Sequence, residues 1–489
     1  MSPPLPHENP HHARRWLILV VLGVAQLMVI LDATIVNIAL PSAQDDLGFS
    51  DDSRQWIVTA YALAFGSLLL LGGRLSDLVG RKWMFIAGLA GFAGASAAGG
   101  AAQSFEALVG ARALQGIFGA MLAPASLALL TVTFTDPAER RKATGVYGAI
   151  AGGGGAIGLL LGGVLTEYAS WRWCLYVNLG FAIPAALAAL ALLHHQPVTV
   201  KPRLDLPGVL TASSGIFALV YAFSSAETDG WGAAITLASF AAAVLLLSAF
   251  VAIQRRVAHP LLALRVVADR TRGGVYVAVA LTGAGMFGVF LFLTYYLQET
   301  LGFSPVEAGL GFLPMTAALL VGVGLASGKL LPNIGPKPVV TAGMLLAATG
   351  MLVLTQVEVD STYAAGVLPG LLLVGFGCGF TMATVMGSAT LGVRSGDTGV
   401  ASAMVNTGQQ IGGSIGTALL STLASTAVTS YMDGRPRTPD VIEQAAVHGY
   451  ATAFWISAAI FAAGAVICGT LLRRGVAELA PGAEPVLAH

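Results

Sequence analysis

Charge is what this 489-residue chain has least of: 25 basic and 25 acidic residues make up 10% of it, against 56% hydrophobic residues. Soluble domains carry roughly 25% charged residues, so water is excluded as the main solvent. A formal net charge of zero says nothing about nucleic acid, and no nucleic-acid partner is expected. Cysteine is nearly missing, and Cys174, Cys378 and Cys468 show no paired spacing, which excludes a disulfide framework and a thiolate metal site. No histidine lies deep in an apolar run, so a histidine proton relay is not expected. Neither His-Glu-x-x-His nor a P-loop occurs, which removes zinc-peptidase chemistry and ATP as an energy source. No cofactor, metal or catalytic residue is expected, and the chain is not expected to be an enzyme.

Long apolar runs are present instead. A bilayer-spanning helix needs about 20 apolar residues. Fourteen such runs are centred near residues 28, 65, 93, 119, 154, 183, 215, 243, 285, 318, 346, 374, 412 and 461. The gaps between them sort the basic residues: 20 fall on one side, from Arg14 and Arg15 to Arg473 and Arg474, and only Arg54, Arg172, Arg435 and Arg437 on the other. Arg112, inside a run, completes the set. The positive-inside rule makes the basic side cytoplasmic and places both termini there. Arg14 and Arg15 before the first run suggest a secretory or twin-arginine leader, but the run is long and lacks a small-residue cleavage site. It is expected to remain as the first span.

The segment Gly73-Arg74-Leu75-Ser76-Asp77-Leu78-Val79-Gly80-Arg81-Lys82 follows the second span. Gly328-Lys329-Leu330-Leu331-Pro332-Asn333-Ile334-Gly335-Pro336-Lys337 follows the tenth, with Gly, a basic residue, Leu, Gly and Lys in the same register. Repeated halves with the substrate between them are how many transporters are built. The spans then divide as six, two and six. The sequence predicts a tail at 1–15, a six-helix bundle at 16–200, two inserted helices at 201–254, a cytoplasmic linker at 255–272, a second six-helix bundle at 273–474 and a tail at 475–489.

Gly73 to Lys82 resembles the loop motif of the major facilitator superfamily. Leu31-Asp32-Ala33-Thr34-Ile35-Val36-Asn37-Ile38-Ala39-Leu40-Pro41 resembles the hallmark of its fourteen-helix drug:proton antiporter branch. Arg112-Ala113-Leu114-Gln115-Gly116, and Gly399-Val400-Ala401-Ser402-Ala403 with Asn406, Gln409, Gln410, Gly412 and Gly413, are similar to two further motifs of that branch. The resemblance implies an all-α polytopic protein of two six-helix bundles plus two extra helices, working by alternating access, with export driven by inflowing protons. Two positions depart from the family pattern: Leu78 stands where a basic residue is usual, and Leu159 follows Gly158 where proline is usual.

Asp32 is the only acidic residue well inside a span, where a carboxylate is costly and functional by default. At 1.5 Å per residue it lies roughly 24 Å up from Trp16, and Arg112, on a helix running the other way from Phe105, roughly 10 Å below the far surface of a ~30 Å core. The matched depths predict an Asp32–Arg112 pair that couples protons. Arg112 could instead snorkel to the surface, and Asp32 could orient a neighbouring backbone. In the cytoplasmic turn, Gly73, Asp77, Gly80 and Arg81 are expected to gate conformation, the glycines permitting tight geometry. Gly154, Gly158 and Gly162 share a face of the fifth span, and small residues at that spacing let helices approach closely; this face is expected at the interface between the halves. Gly153, Gly155 and Gly158 also satisfy G-x-G-x-x-G, and Gly412-Gly413-Ser414-Ile415-Gly416 a nucleophile elbow, but neither has the strand its motif requires.

Asn406, Gln409 and Gln410 share a helix face. With Gln26, Gln115 and Asn178, and the aromatics Phe287, Phe290, Tyr295 and Tyr296, they suit an amphipathic, cationic organic substrate. The sequence therefore reads as a monomeric, lipid-embedded proton-coupled exporter of drugs, antibiotics and dyes in a bacterial cytoplasmic membrane. The alternatives are an uptake permease of the same fold and a non-transport membrane protein.

Overall fold

The computed structural model describes residues 14–194, 205–257, 260–262, 264–389 and 398–472. Most of each predicted tail and part of the linker lie outside these residues. Fourteen long helices cover the described chain: α1 Arg15–Leu47, α2 Asp51–Val79, α3 Arg81–Gly100, α4 Phe105–Thr133, α5 Pro137–Tyr168, α6 Trp173–Leu192, α7 Leu206–Thr228 and α8 Ala234–Gln254, then α9 Arg270–Thr300, α10 Pro305–Ile334, α11 Pro336–Leu354 and α12 Tyr363–Val385, and α13 Thr398–Met432 and α14 Pro439–Leu471. Each predicted span centre falls inside one of them. Thirteen are long and apolar enough to cross a bilayer. The other, α2, has 29 residues but a shorter apolar run, Trp56–Leu69. Its polar Thr59, Ser67 and Ser76 are buried because α4, α7 and α13 pack around it.

The repeat read from the loop motif is present in the packing. Within the first six helices, α1 meets α4, α5 and α6, α3 meets α4 and α6, α2 meets α4, and α5 meets α6. Adding eight to every label gives the pairings of the last six helices. The seam obeys the same rule, since α2 meets α13 and α5 meets α10. Gly80 and Gly335, in register in the two motifs, both take positive φ, 100° and 77°, at the junction of the second and third helices of their bundle. Glycine occupies this region without the penalty a Cβ brings.

The inserted pair lies on the seam. α7 packs against both α2 and α13, and α8 against α7. Asp205 holds the pair to the linker: its Oδ1 accepts from the Gly208 backbone N–H (2.9 Å) and its Oδ2 from Gln254 Nε2 (2.6 Å), while Gln254 Oε1 accepts from the Leu262 N–H (2.9 Å).

The small-residue face of α5 turns to α1 and not to the other half. A Cβ on Gly158 would overlap Thr34 Oγ1 and lie 3.0 Å from the Leu31 carbonyl, and one on Gly162 would lie 2.9 Å from the Ile35 carbonyl. Gly154 likewise faces Leu27 and Ile30. The spacing correctly marked a close approach, but glycines mark a face and not its partner. α5 reaches the seam by another face, where the Leu159 carbonyl would lie 2.7 Å from a Cβ on Gly309 of α10. The helix runs unbroken through Leu159.

Because backbone meets backbone there, Gly158→Leu is expected to destabilise the protein by at least the ~1–3 kcal/mol of an overpacked core. Thermal unfolding in detergent measures it. Gly145→Leu on the same helix, where nothing lies within 4 Å of an added Cβ, is expected to leave the melting curve in place.

Candidate functional site

Four helices bring polar side chains to one buried point in the first bundle. Asp32 lies midway along α1 and Arg112 two turns into α4, and their side chains are 0% and 1% exposed. The start of α4 is fixed by Ser104, whose Oγ accepts from the Ala107 N–H. Gln115 follows Arg112 by three residues and shares its helix face. Ser96 comes from α3 and Asn178 from α6.

Arg112 Nη1 donates to Asp32 Oδ2 at 2.6 Å and to Gln115 Oε1 at 2.9 Å, and its Nε donates to the Ile57 carbonyl at 3.2 Å. Asp32 Oδ1 accepts from Gln115 Nε2 (2.9 Å) and Asn178 Nδ2 (2.7 Å). Ser96 Oγ accepts from the same two amide nitrogens, at 3.0 and 2.9 Å, and donates to the Leu175 carbonyl at 2.8 Å. The Tyr61 ring lies under the guanidinium, 4.5 Å from its carbon. A buried ion pair holds only when further hydrogen bonds replace the lost hydration of both charges, and this cage supplies them. Every side-chain group facing the carboxylate is a donor, so the arrangement is built for ionised Asp32. Two buried polar atoms in the cage, Asn178 Oδ1 and the Tyr61 hydroxyl, have no hydrogen-bond partner among the described residues.

The residues expected at the substrate are dispersed. Gln115 and Asn178 belong to the carboxylate cage. Gln26 accepts from the Tyr147 hydroxyl at 2.5 Å. A Cβ on Gly413 would run into the Phe287 ring, and Phe290 packs on Phe312 with ring centroids 5.8 Å apart. On α13, Asn406 is half-buried and Gln409 exposed, while Gln410 lies across the seam from Gly66. Tyr295 and Tyr296 are fully buried near the end of α9 away from the termini.

At that far face the two halves are tied together. The Arg54 guanidinium stacks 3.5 Å over the Tyr295 ring and pairs with Glu299 Oε1 at 3.3 Å. The Tyr450 hydroxyl donates to Glu299 Oε2 at 3.0 Å. Gln298 Nε2 donates to the Ile38 carbonyl, and the Val306 N–H to Glu167 Oε2 at 3.1 Å. The Tyr296 hydroxyl donates to the Glu358 carbonyl. Sequence reasoning missed these ties, since Arg54 carried no signal beyond its place in a loop.

At the near face, Gly73 meets only Pro124 at ordinary contact and Arg81 begins α3 half-buried. The Asp77 side chain lies outside the described side chains, as do those of residues 398–403.

Residues 22–417 match the family model described as the Major Facilitator Superfamily. The chain is 48% identical over 461 residues to the puromycin resistance protein pur8 of Streptomyces alboniger, covering 94% of this chain and 92% of that one. It is 38% identical to the cephamycin export protein CmcT of Amycolatopsis lactamdurans, covering 84% and 85%. In fold it is similar to a crystal structure of an auto-inhibited POT-family peptide transporter, with a TM-score of 0.69 at 15% identity, covering 96% of this chain and 98% of the other.

Proposed function

Since this chain belongs to the major facilitator superfamily, we propose that it is a multi-pass exporter in a bacterial cell membrane that expels amphipathic organic compounds, antibiotics and dyes among them, in exchange for protons. Relatives named for puromycin resistance and for cephamycin export support the direction and the substrate class. The observation that carries the proton reading is the Asp32–Arg112 pair, fully buried and caged by donors alone.

In this reading the face where α1 begins and α14 ends is cytoplasmic, which the distribution of basic residues supports. The ties among Arg54, Tyr295, Glu299 and Tyr450 then close the external side. Protonating Asp32 removes one charge of the pair, weakens its hold on α4, and so changes the relative energy of the inward-open and outward-open arrangements. A ligand or proton shifts such an equilibrium only by its differential affinity for the two states. The ion pair belongs to the arrangement described, and protonation of Asp32 accompanies the passage to the other. Substrate is bound between the halves, where Gln410 faces Gly66 across the seam, while Gln115 and Asn178 serve the carboxylate.

Everted membrane vesicles with an acid interior test this. They are expected to accumulate an amphipathic cationic dye, and to lose it when a protonophore collapses the gradient. Accumulation that survives the protonophore overturns the coupling, and movement only down the dye gradient overturns the antiport.

A further inference from the structure

A cage made only of donors suits an ionised Asp32 and repels a neutral one, whose new O–H must itself find an acceptor. Two amides touch Asp32, and they differ in freedom. Gln115 is locked, because its Oε1 accepts from Arg112 and its Nε2 donates to Asp32 and Ser96. Turning it over would set an N–H against the guanidinium. Among the described residues Asn178 uses only its nitrogen, toward Asp32 and Ser96, while its buried Oδ1 has no partner there.

A half-turn about the Asn178 Cβ–Cγ bond exchanges its oxygen and nitrogen. The oxygen then faces Asp32 Oδ1, ready to accept an O–H, and faces Ser96, whose hydroxyl can swing from the Leu175 carbonyl to donate as well. The other charged and titratable groups around Asp32 are engaged otherwise. Arg112 only donates, Tyr61 lies beneath Arg112 on α2, and Cys174 on α6 is engaged with Thr166 and the Gly162 carbonyl.

We propose that Asn178 is the protonation switch of Asp32: its amide nitrogen faces the carboxylate, and its amide oxygen accepts from the acid once a solvent proton has formed the O–H bond. Arg112 keeps its charge throughout, and the same O–H bond breaks when the proton leaves. This rests on the proton-coupled reading above and assigns the group that makes neutral Asp32 tolerable in a closed site. Asn178 is thus a positioning residue for the proton and not a substrate contact.

Infrared difference spectra of the full chain in lipid, acid minus neutral, provide the test. Wild type is expected to show a carboxylic-acid C=O band that vanishes in Asp32→Asn. Asn178→Leu is expected to move that band to higher frequency, as for an acid without an acceptor, while Gln115→Leu leaves it in place. Asn178→Thr, whose hydroxyl can accept, moves it back toward wild type. Asparagine labelled with heavy carbon at its side-chain carbonyl keeps the test open should Asn178→Leu not fold. In unmutated protein one labelled amide band is expected to shift with pH, and to stop shifting in Asp32→Asn. An Asp32 band that ignores Asn178→Leu, or the absence of any pH-sensitive asparagine band, overturns the switch and leaves proton coupling standing. No Asp32 band at any pH overturns the coupling and the switch together.

Discussion

Asp32→Asn is expected to reach the membrane and fold, and to transport nothing against a gradient. Removing one partner of a buried ion pair costs about 3–5 kcal/mol because it strands the other charge. Arg112 retains the Ile57 carbonyl, Gln115 Oε1 and the face of Tyr61, which recover part of that cost. The variant should therefore melt earlier than wild type without failing to assemble. Its transport defect has a different origin, since an amide of the same size cannot exchange a proton near neutral pH, and inward protons lose their handle on the conformational equilibrium. Efflux from energised vesicles, beside equilibrium binding of the same dye, separates the two effects. Binding is expected to survive and uphill efflux to disappear. Undiminished uphill efflux by a normally expressed Asp32→Asn protein removes Asp32 from the mechanism.

The second large effect is expected from the mildest change of charge. Arg112→Lys keeps a cation, yet is expected to transport at least tenfold more slowly and with a displaced pH profile. The guanidinium spans three acceptors on three helices: Asp32 on α1, the Ile57 carbonyl on α2 and Gln115 on α4. A single ammonium cannot occupy the positions of both Nε and Nη1, so at least one charged hydrogen bond, worth about 1.5–3 kcal/mol, is lost. Each 1.4 kcal/mol is a factor of ten. A buried lysine can also shed its proton where arginine does not, leaving Asp32 without a counter-charge at high pH. The pH dependence of transport in both proteins measures this. A wild-type rate with an unshifted profile in Arg112→Lys would falsify the pair as the coupling element.

The sequence announced this pair because intramembrane charges are rare and helix rise converts chain position into depth. Those two facts sufficed to match Asp32 with Arg112. Ser96 and Tyr61 were illegible, because a serine in a glycine- and alanine-rich helix and a tyrosine in an apolar one are ordinary until neighbours are known. Gln115 and Asn178 were visible as amides inside spans, but spacing gives the face a residue occupies and not what stands opposite. The glycines of α5 failed for the same reason. The far-face ties join residues from 62 to 260 positions apart, Arg54 and Glu299 by 245, and nothing local in either segment points to the other.

The inserted helices were countable from sequence but not placeable, since the spans Leu206–Ala226 and Ala234–Gln254 carry no charge to match with a partner. Their position has a mechanical consequence. α7 spans the line where α2 meets α13, with Trp56 of α2 beside Tyr221 and Thr422 of α13 donating to the Phe223 carbonyl, whereas α5 and α10 meet helix to helix across the opposite line. Two half-shells taped along one long edge do not part evenly. In the proposed alternation of arrangements α7 is a strap along one edge of the seam, and the direct contact of α5 with α10 is the edge without one.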